Sequence, residues 1–176
     1  FFYFHSSVNP AFMYPPLLLD GPMGTELQRR GSDTTLPLWS ARALDADPDL
    51  VVAIHRDYID AGADIITANS FRTNRRAVER AGLTSADAQR LTAESVRLAR
   101  QSFSPSAGPL IAGSDAPVED CYSPDLVPSE IELRQEHSEH CRWLIDAAVD
   151  LLLLETMNTL REAVAAADAA AALGAT

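Results

Sequence analysis

The chain contains no lysine, and all 14 of its basic residues are arginines. This excludes chemistry that needs a lysine amine, such as Schiff-base catalysis and the P-loop nucleotide site. The arginines are outnumbered by 25 acidic residues, and the formal net charge is −11. Because nucleic-acid-binding surfaces are expected to be basic, this balance argues against nucleic acid and against an anionic membrane surface as partners.

Cysteine is scarce, and long apolar runs are missing. The two cysteines, Cys121 and Cys141, form no C-x-x-C pair and are too few for a disulfide framework. No apolar run reaches the ~20 residues that span a bilayer. The aromatic N-terminus lacks the basic region that begins a signal peptide. We therefore expect a cytoplasmic protein.

The 176 residues are enough for one domain with a hydrophobic core. We divide the chain into an N-terminal extension, residues 1–16, and a truncated barrel domain, residues 17–176. The chain begins with Phe1, whereas Met13 lies just before the first predicted strand. If Met13 is the natural start, residues 1–12 are foreign to the native product. We expect the chain to be a fragment, cut at both ends.

Four short runs are continuously apolar, which is typical of parallel strands. They are residues 17–19, 64–68, 110–113 and 151–154. Helix start signals lie between and after them: Pro48 at a first helical position, and capping pairs that begin at Thr84, Ser129 and Thr159. This alternation predicts an α/β fold with right-handed crossovers. A complete (β/α)8 barrel has eight units and about 250 residues, so four units predict half a barrel or a small open sheet.

Polar side chains follow every predicted strand. They are Asp20, then Asn69 and Ser70, then Ser114 and Asp115, then Glu155 and Thr156. In barrels and open parallel sheets, the C-terminal ends of the strands carry the ligand site. Two of the residues are acids that directly follow leucine runs, where an ionised carboxylate is costly unless a partner compensates it. A binding site at this edge is therefore favoured.

The two acids and the turn after Asp20 narrow the ligand class. Paired carboxylates can bind an ammonium group, bind a metal ion or act as an acid/base pair, as in glycosidases. Gly21 and Gly24 let the backbone approach a ligand closely, and successive N–H groups can hold an anion. An acid for a cation beside N–H groups for an anion complements a zwitterionic amino acid.

Four segments together resemble the homocysteine S-methyltransferase family. They are DGPMGTELQRRG, HRDYIDAGADIITANSFRTNRR, IAGSDAPVEDCY and DLLLLETMNTLREA, and they follow the family's order and spacing. The family is a (β/α)8 barrel that transfers a methyl group to the thiol of homocysteine, giving methionine. The resemblance implies a partial TIM barrel of about four β-α units whose partners are homocysteine and a methyl donor. S-methylmethionine, S-adenosylmethionine, betaine and a folate–cobalamin route all remain open as donors.

The resemblance also implies roles for seven residues. Asp20 and Glu155 would bind the homocysteine amino group. The backbone N–H groups of Met23, Gly24 and Thr25 would bind its carboxylate. The side chains of Asn69 and Ser114 would line the pocket. No catalytic residue is assigned.

The resemblance does not extend to the family's metal site. The family holds zinc with three cysteines, and zinc presents the homocysteine thiol as a thiolate. Those cysteines have no counterpart here, since Cys121 and Cys141 do not match their positions. The spacing of His137, His140 and Cys141 would allow a substitute site, but surface or interface histidines are the favoured interpretation because this helix lies outside the family's barrel. We expect no metal ligands, and a fragment that is inactive alone.

Other prominent side chains are predicted to be structural. Trp39 is interpreted as a packing residue, and Arg72, Arg75 and Arg76 are assigned to a solvated loop after the second strand.

Two further hypotheses belong to other classes. The chain could be a non-catalytic half-barrel that binds an amino acid or self-associates, because half a barrel exposes two sheet edges and an apolar interior. It could also be a barrel enzyme that uses Asp20 and Glu155 as an acid/base pair on sugars. Aromatic platforms for sugar rings are sparse near the strand ends, which disfavours that hypothesis.

Overall fold

A computed structural model gives the fold and describes residues 16–104 and 108–175. The predicted extension, apart from its last residue, lies outside the described residues. The described residues form seven α-helices, three β-strands and two 3-10 helices. The helices are α1 (Met23–Arg29), α2 (Ala43–Ala46), α3 (Pro48–Asp60), α4 (Arg75–Arg80), α5 (Ser85–Gln101), α6 (Glu130–Asp146) and α7 (Leu160–Ala172). The strands are β1 (Ile65–Ala68), β2 (Leu110–Asp115) and β3 (Leu151–Leu154), and the 3-10 helices are Trp39–Arg42 and Pro124–Leu126.

The strands form a parallel sheet in the order β1-β2-β3, which confirms a mixed α/β fold with a parallel sheet. The register pairs Ile65 with Leu110 and Ala112 with Leu151. The first predicted strand, residues 17–19, joins the β1 edge through a single parallel bridge between Leu19 and Ile65. All four segments run in the same direction, so their C-terminal ends meet at one edge of the sheet.

The N-terminal caps predicted at Thr84, Ser129 and Thr159 are observed, whereas the Asp47 side chain, expected to cap α3, makes no cap hydrogen bond. Thr84, Ser129 and Thr159 each accept a hydrogen bond from a backbone N–H in the first turn of their helix. The reciprocal carboxylate bond of the capping box is present in α5 and α6. In α7 the expected partner, Glu162, is buried and instead accepts a hydrogen bond from the Val118 N–H, at 2.9 Å.

The hydrophobic core has two main groups. One joins the helices α1, α3 and α5, and includes the fully buried Leu27, Ile54 and Leu91. The other lies against the sheet, where Ile111 and Leu144 have no exposed area.

All the predicted strands were expected to be buried on both faces, but the extent of burial differs between them. All residues of β2 after Leu110 are buried, as expected. The expectation is wrong for residues 17–19, because Leu17, Leu18 and Leu19 are 62%, 54% and 45% exposed. The four leucines of β3 are half-buried.

No helix in the described part of the chain is long and apolar enough to cross a bilayer.

Candidate functional site

A cavity of about 770 Å³ lies where the strand ends meet. Six of the seven predicted substrate-binding residues line it: Asp20, Met23, Gly24, Asn69, Ser114 and Glu155. The seventh, Thr25, is exposed on α1 and is not part of this wall. The role predicted for Thr25 concerns its backbone N–H group. The first N–H groups of a helix have no partner within the helix, so the N–H of Thr25 in α1 could bind a ligand, and this role stays a prediction.

Asp20 is held by the neighbouring strand β1. Its two carboxylate oxygens accept hydrogen bonds from the Thr67 N–H at 2.9 Å and the Thr67 hydroxyl at 2.8 Å. Burial raises the pKa of Asp20, the bonds from Thr67 lower it, and the charge of Glu155 raises it further. The net pKa lies above the usual aspartate value. Glu155 is therefore close enough to oppose the ionisation of Asp20.

Glu155 is held by the end of β2. The Ser114 hydroxyl donates to its Oε1 at 2.6 Å, and the Glu155 N–H donates to the carbonyl of Asp115 at 3.1 Å. Thr156, the next residue, adopts a φ of 59° and also lines the cavity. A left-handed conformation is costly for a β-branched residue and is found most often at functional sites.

An aromatic wall closes part of the cavity. Trp39 and Phe71 pack edge to face with ring centroids 5.6 Å apart. The Trp39 ring lies so close to Gly24 that a Cβ at position 24 would overlap it. The prediction that Trp39 only packs is therefore incomplete, since it lines the cavity. Trp39 begins a 3-10 helix of four residues, which is too short to carry a periodic pattern that could have placed it there.

The prediction that the segment after the second strand is a solvated loop is wrong for Arg72, whose side chain is only 7% exposed. Its Nη1 donates to the carbonyl of Glu119 at 3.0 Å, and its guanidinium lies over the Phe71 ring. Arg72 also lines the cavity. This arrangement depends on the loop after β2, which is distant in sequence, so no local signal could reveal it.

The two other arginines of this segment are engaged in ion pairs. Arg75 pairs with Glu139 at 2.9 Å, and Arg76 pairs with Glu119 and Glu136 at 3.0 and 2.5 Å. Both arginines are partly buried and connect α4 to α6. They anchor helices outside the cavity.

Acids predominate among the charged residues that line the cavity. Asp20, Asp120 and Glu155 face a single cation, Arg72. Such an excess of carboxylates favours a ligand that carries a positive group, because the ligand charge relieves the repulsion between them.

The interpretation of His137 and His140 as surface residues is wrong, because both are buried. Their Nδ1 atoms lie 2.7 and 2.9 Å from the two carboxylate oxygens of Asp115. The missed signal was their spacing: together with Leu133, Cys141 and Leu144 they form the inward stripe of α6. Asp115 therefore points away from the cavity, into the layer of helices.

The residues present do not fit the zinc site that the resemblance implies. In residues 16–104 and 108–175, no three His, Cys, Asp or Glu side chains are grouped so that they could hold a metal ion. Cys121 is half-buried in the cavity wall, and Cys141 is buried in α6, where burial raises the pKa of its thiol.

Fold and site together define an α/β protein with a small-molecule site at the C-terminal edge of a parallel sheet. Residues 17–175 match the family described as Homocysteine S-methyltransferase. The chain belongs to the homocysteine S-methyltransferase family.

Individual relatives agree with this assignment. The chain is 34% identical over 166 residues to homocysteine S-methyltransferase YbgG of Bacillus subtilis, a match that covers 85% of this chain and 53% of the relative. It is also 34% identical over 165 residues to the Escherichia coli homocysteine S-methyltransferase, covering 86% and 53%. The metallated crystal form of the E. coli homocysteine methyltransferase MmuM superposes with a TM-score of 0.82 at 31% identity, covering 92% of this chain and 61% of that one. The chain therefore spans about half the length of the curated relatives it matches.

The Asp115–histidine cluster should make stability depend on pH. Burial lowers the pKa of His137, but the hydrogen bond to Asp115 and the nearby charges of Asp115 and Glu162 outweigh burial and raise it to about 9, from 6.5 for a free histidine. Charged His137 therefore stabilises the fold fully below pH 6.5, and this contribution is lost as pH rises through about 9. We expect the unfolding free energy, from urea titrations, to fall on the order of 3 kcal/mol across this window.

The variant His137→Gln should flatten that dependence. Cys141→Ser is the control, because the Cys141 thiol contributes only above its ordinary pKa of 9.0. Equal slopes in the wild type and His137→Gln would contradict the assignment.

Proposed function

We propose that this chain forms the homocysteine-binding half of a homocysteine S-methyltransferase, folded as four β-α units of a (β/α)8 barrel. One observation carries the proposal: Asp20 and Glu155, from the first and fourth predicted strands, line the same cavity. The charge of Glu155 also acts on the titration of Asp20. Family membership and the shared cavity support homocysteine as the ligand.

The amino group of homocysteine binds between Asp20 and Glu155. Thr67 and Ser114 already orient these carboxylates, so little ordering is needed when the ligand arrives. The ammonium charge offsets the repulsion between the acids. The substrate carboxylate accepts hydrogen bonds from the free N–H groups in the first turn of α1, at residues 23–25.

The methyl donor occupies the aromatic side of the cavity. A sulfonium or quaternary ammonium donor carries its positive charge beside the transferable methyl group. The Trp39 ring attracts such a cation, whereas the Phe71 ring already lies under the Arg72 guanidinium. This wall therefore favours an onium donor over the folate–cobalamin route.

Homocysteine binding is tested by calorimetry with purified chain. Asp20→Asn and Glu155→Gln should each weaken binding about 10- to 100-fold, because each removes a charged acceptor of the ammonium group. Wild-type affinity should also fall as pH drops through the raised pKa of Asp20, because protonation removes the same charge.

Asp168→Asn is the matched control. It makes the same chemical change on the outer surface of α7, where Asp168 pairs with Arg134. A loss of affinity in Asp168→Asn equal to that in Asp20→Asn would refute the site, as would wild-type binding that both cavity variants retain.

We propose further that the chain alone does not catalyse methyl transfer. A free thiol with a pKa of about 8.5 is only a few per cent thiolate at pH 7, and the described residues offer no metal-ligand set that could raise this fraction.

The test mixes the chain with zinc, homocysteine and S-methylmethionine and measures methionine. We expect no turnover above the protein-free control and no zinc retained after gel filtration. Repeated turnover, or one tightly bound zinc per chain, would refute this part of the proposal.

A second candidate is self-association, and the exposed sheet edge favours it. Leu17, Leu18 and Leu19 form a contiguous exposed apolar run beside an unpaired edge of the described sheet. Such edges pair readily with a second chain.

Sedimentation velocity tests this candidate. We expect a concentration-dependent dimer that Leu18→Glu weakens about tenfold or more, because a charge at the edge opposes pairing. Leu160→Glu, at a leucine of α7 that is more exposed than Leu18 (81% against 54%), should leave it unchanged. A monomer at all concentrations would exclude self-association.

A further inference from the structure

A buried polar network lies directly behind the cavity. Asp115, 1% exposed, contacts His140 at 2.9 Å, and the other ring nitrogen of His140 lies 3.1 Å from the Thr73 hydroxyl. The Thr73 hydroxyl donates to the carbonyl of Ser70 at 3.0 Å, and the Ser70 hydroxyl donates to the carbonyl of Ser114 at 2.9 Å. Because Ser114 and Asp115 are consecutive, these contacts close a ring.

Further contacts brace the ring. His137 contacts the second carboxylate oxygen of Asp115 at 2.7 Å, and its Nε2 lies 3.6 Å from Glu162 of α7. The Thr92 hydroxyl of α5 donates to that of Thr73 at 2.8 Å. The network therefore ties the ends of β1 and β2 to three helices, without contact with solvent.

The ring touches the cavity through β2. Side chains alternate along a strand, so Ser114 faces the cavity while Asp115 faces the helices. The Ser114 hydroxyl donates to the Glu155 carboxylate, and the Asp115 carbonyl accepts from the Glu155 N–H. The carboxylate and the backbone N–H of Glu155 thus both form hydrogen bonds with Ser114 and Asp115, the consecutive residues that belong to the ring.

We infer that Thr73, His140 and Asp115 are positioning residues that set the orientation of Glu155 for the substrate ammonium group. This inference rests on the proposed function. The polar side-chain atoms of Asp115, His140, Thr73 and Ser70 all have hydrogen-bond partners within the described residues. Such a ring in a low-dielectric interior is rigid, and charge recognition needs its carboxylate held within about 0.5 Å. Loss of one member leaves buried polar groups without partners and frees the end of β2.

The test measures homocysteine affinity in Thr73 variants of the full chain. Thr73→Val, which keeps the shape but removes the hydroxyl, should weaken binding about three- to tenfold. Thr73→Ser, which keeps the hydroxyl, should restore wild-type affinity. Ser102→Ala removes a buried hydroxyl that donates to the Ala99 carbonyl outside the network, and it should lower the urea midpoint without changing affinity.

A double-mutant cycle separates positioning from general stability. If the ring acts through Glu155, Thr73→Val should cost little further affinity in the Glu155→Gln background. His140→Gln is measured in the same cycle, so that the result does not depend on Thr73→Val folding. Affinity that is unchanged in both network variants, or losses that add fully to that of Glu155→Gln, would overturn the inference.

The outcomes also distinguish the two proposals. Wild-type affinity in Glu155→Gln alone refutes the proposed ammonium site. A loss in Glu155→Gln with none in Thr73→Val or His140→Gln leaves that site intact and refutes only the positioning role.

Discussion

Two carboxylates that face one cavity impose the main physical constraint on this structure. Burial raises the pKa of Asp20 and the charge of Glu155 raises it further, so an ionised Asp20 is costly beside an ionised Glu155. Protein hydrogen bonds reduce this cost without removing it: Thr67 donates twice to Asp20, and Ser114 donates once to Glu155. The positive charge of a ligand ammonium group would offset the repulsion that remains between the two carboxylates. The acids therefore indicate a cationic ligand rather than a structural ion pair.

The parallel strands explain why much of the site was predictable. Once the apolar runs are recognised as parallel strands, their C-terminal ends must share an edge, and Asp20, Asn69, Ser114 and Glu155 must come together there. The same logic, applied with the two-residue period, would have turned Asp115 to the opposite side of the sheet from Ser114. The sequence predicted that Ser114 and Asp115 lie together at the end of their strand. The structure instead places Ser114 in the cavity wall and Asp115 in the core.

The unpredicted features depend on contacts between distant segments. Arg72 is buried because the loop after β2 folds over it and offers the Glu119 carbonyl. Trp39 reaches the cavity from the start of a short 3-10 helix and fits only because residue 24 is glycine. His137 and His140 lie on the inward stripe of α6, which spacing could reveal, but their partner Asp115 belongs to a strand. Spacing within one element cannot identify a partner in another.

The support for both acids is local to this part of the fold. The hydrogen bonds to Asp20 and Glu155 come from Thr67, Ser114 and Thr156, which lie at the ends of β1, β2 and β3. The sheet packs against the inward faces of the helices, and Asp115 at the end of β2 contacts His137 and His140 of α6. The proposed ammonium site therefore needs only the part of the fold that this chain supplies, although the chain spans about half the length of its relatives. In the proposed function, recognition of the amino acid is separate from activation of its thiol, because the described residues proposed to orient the ligand charge include no set of metal ligands.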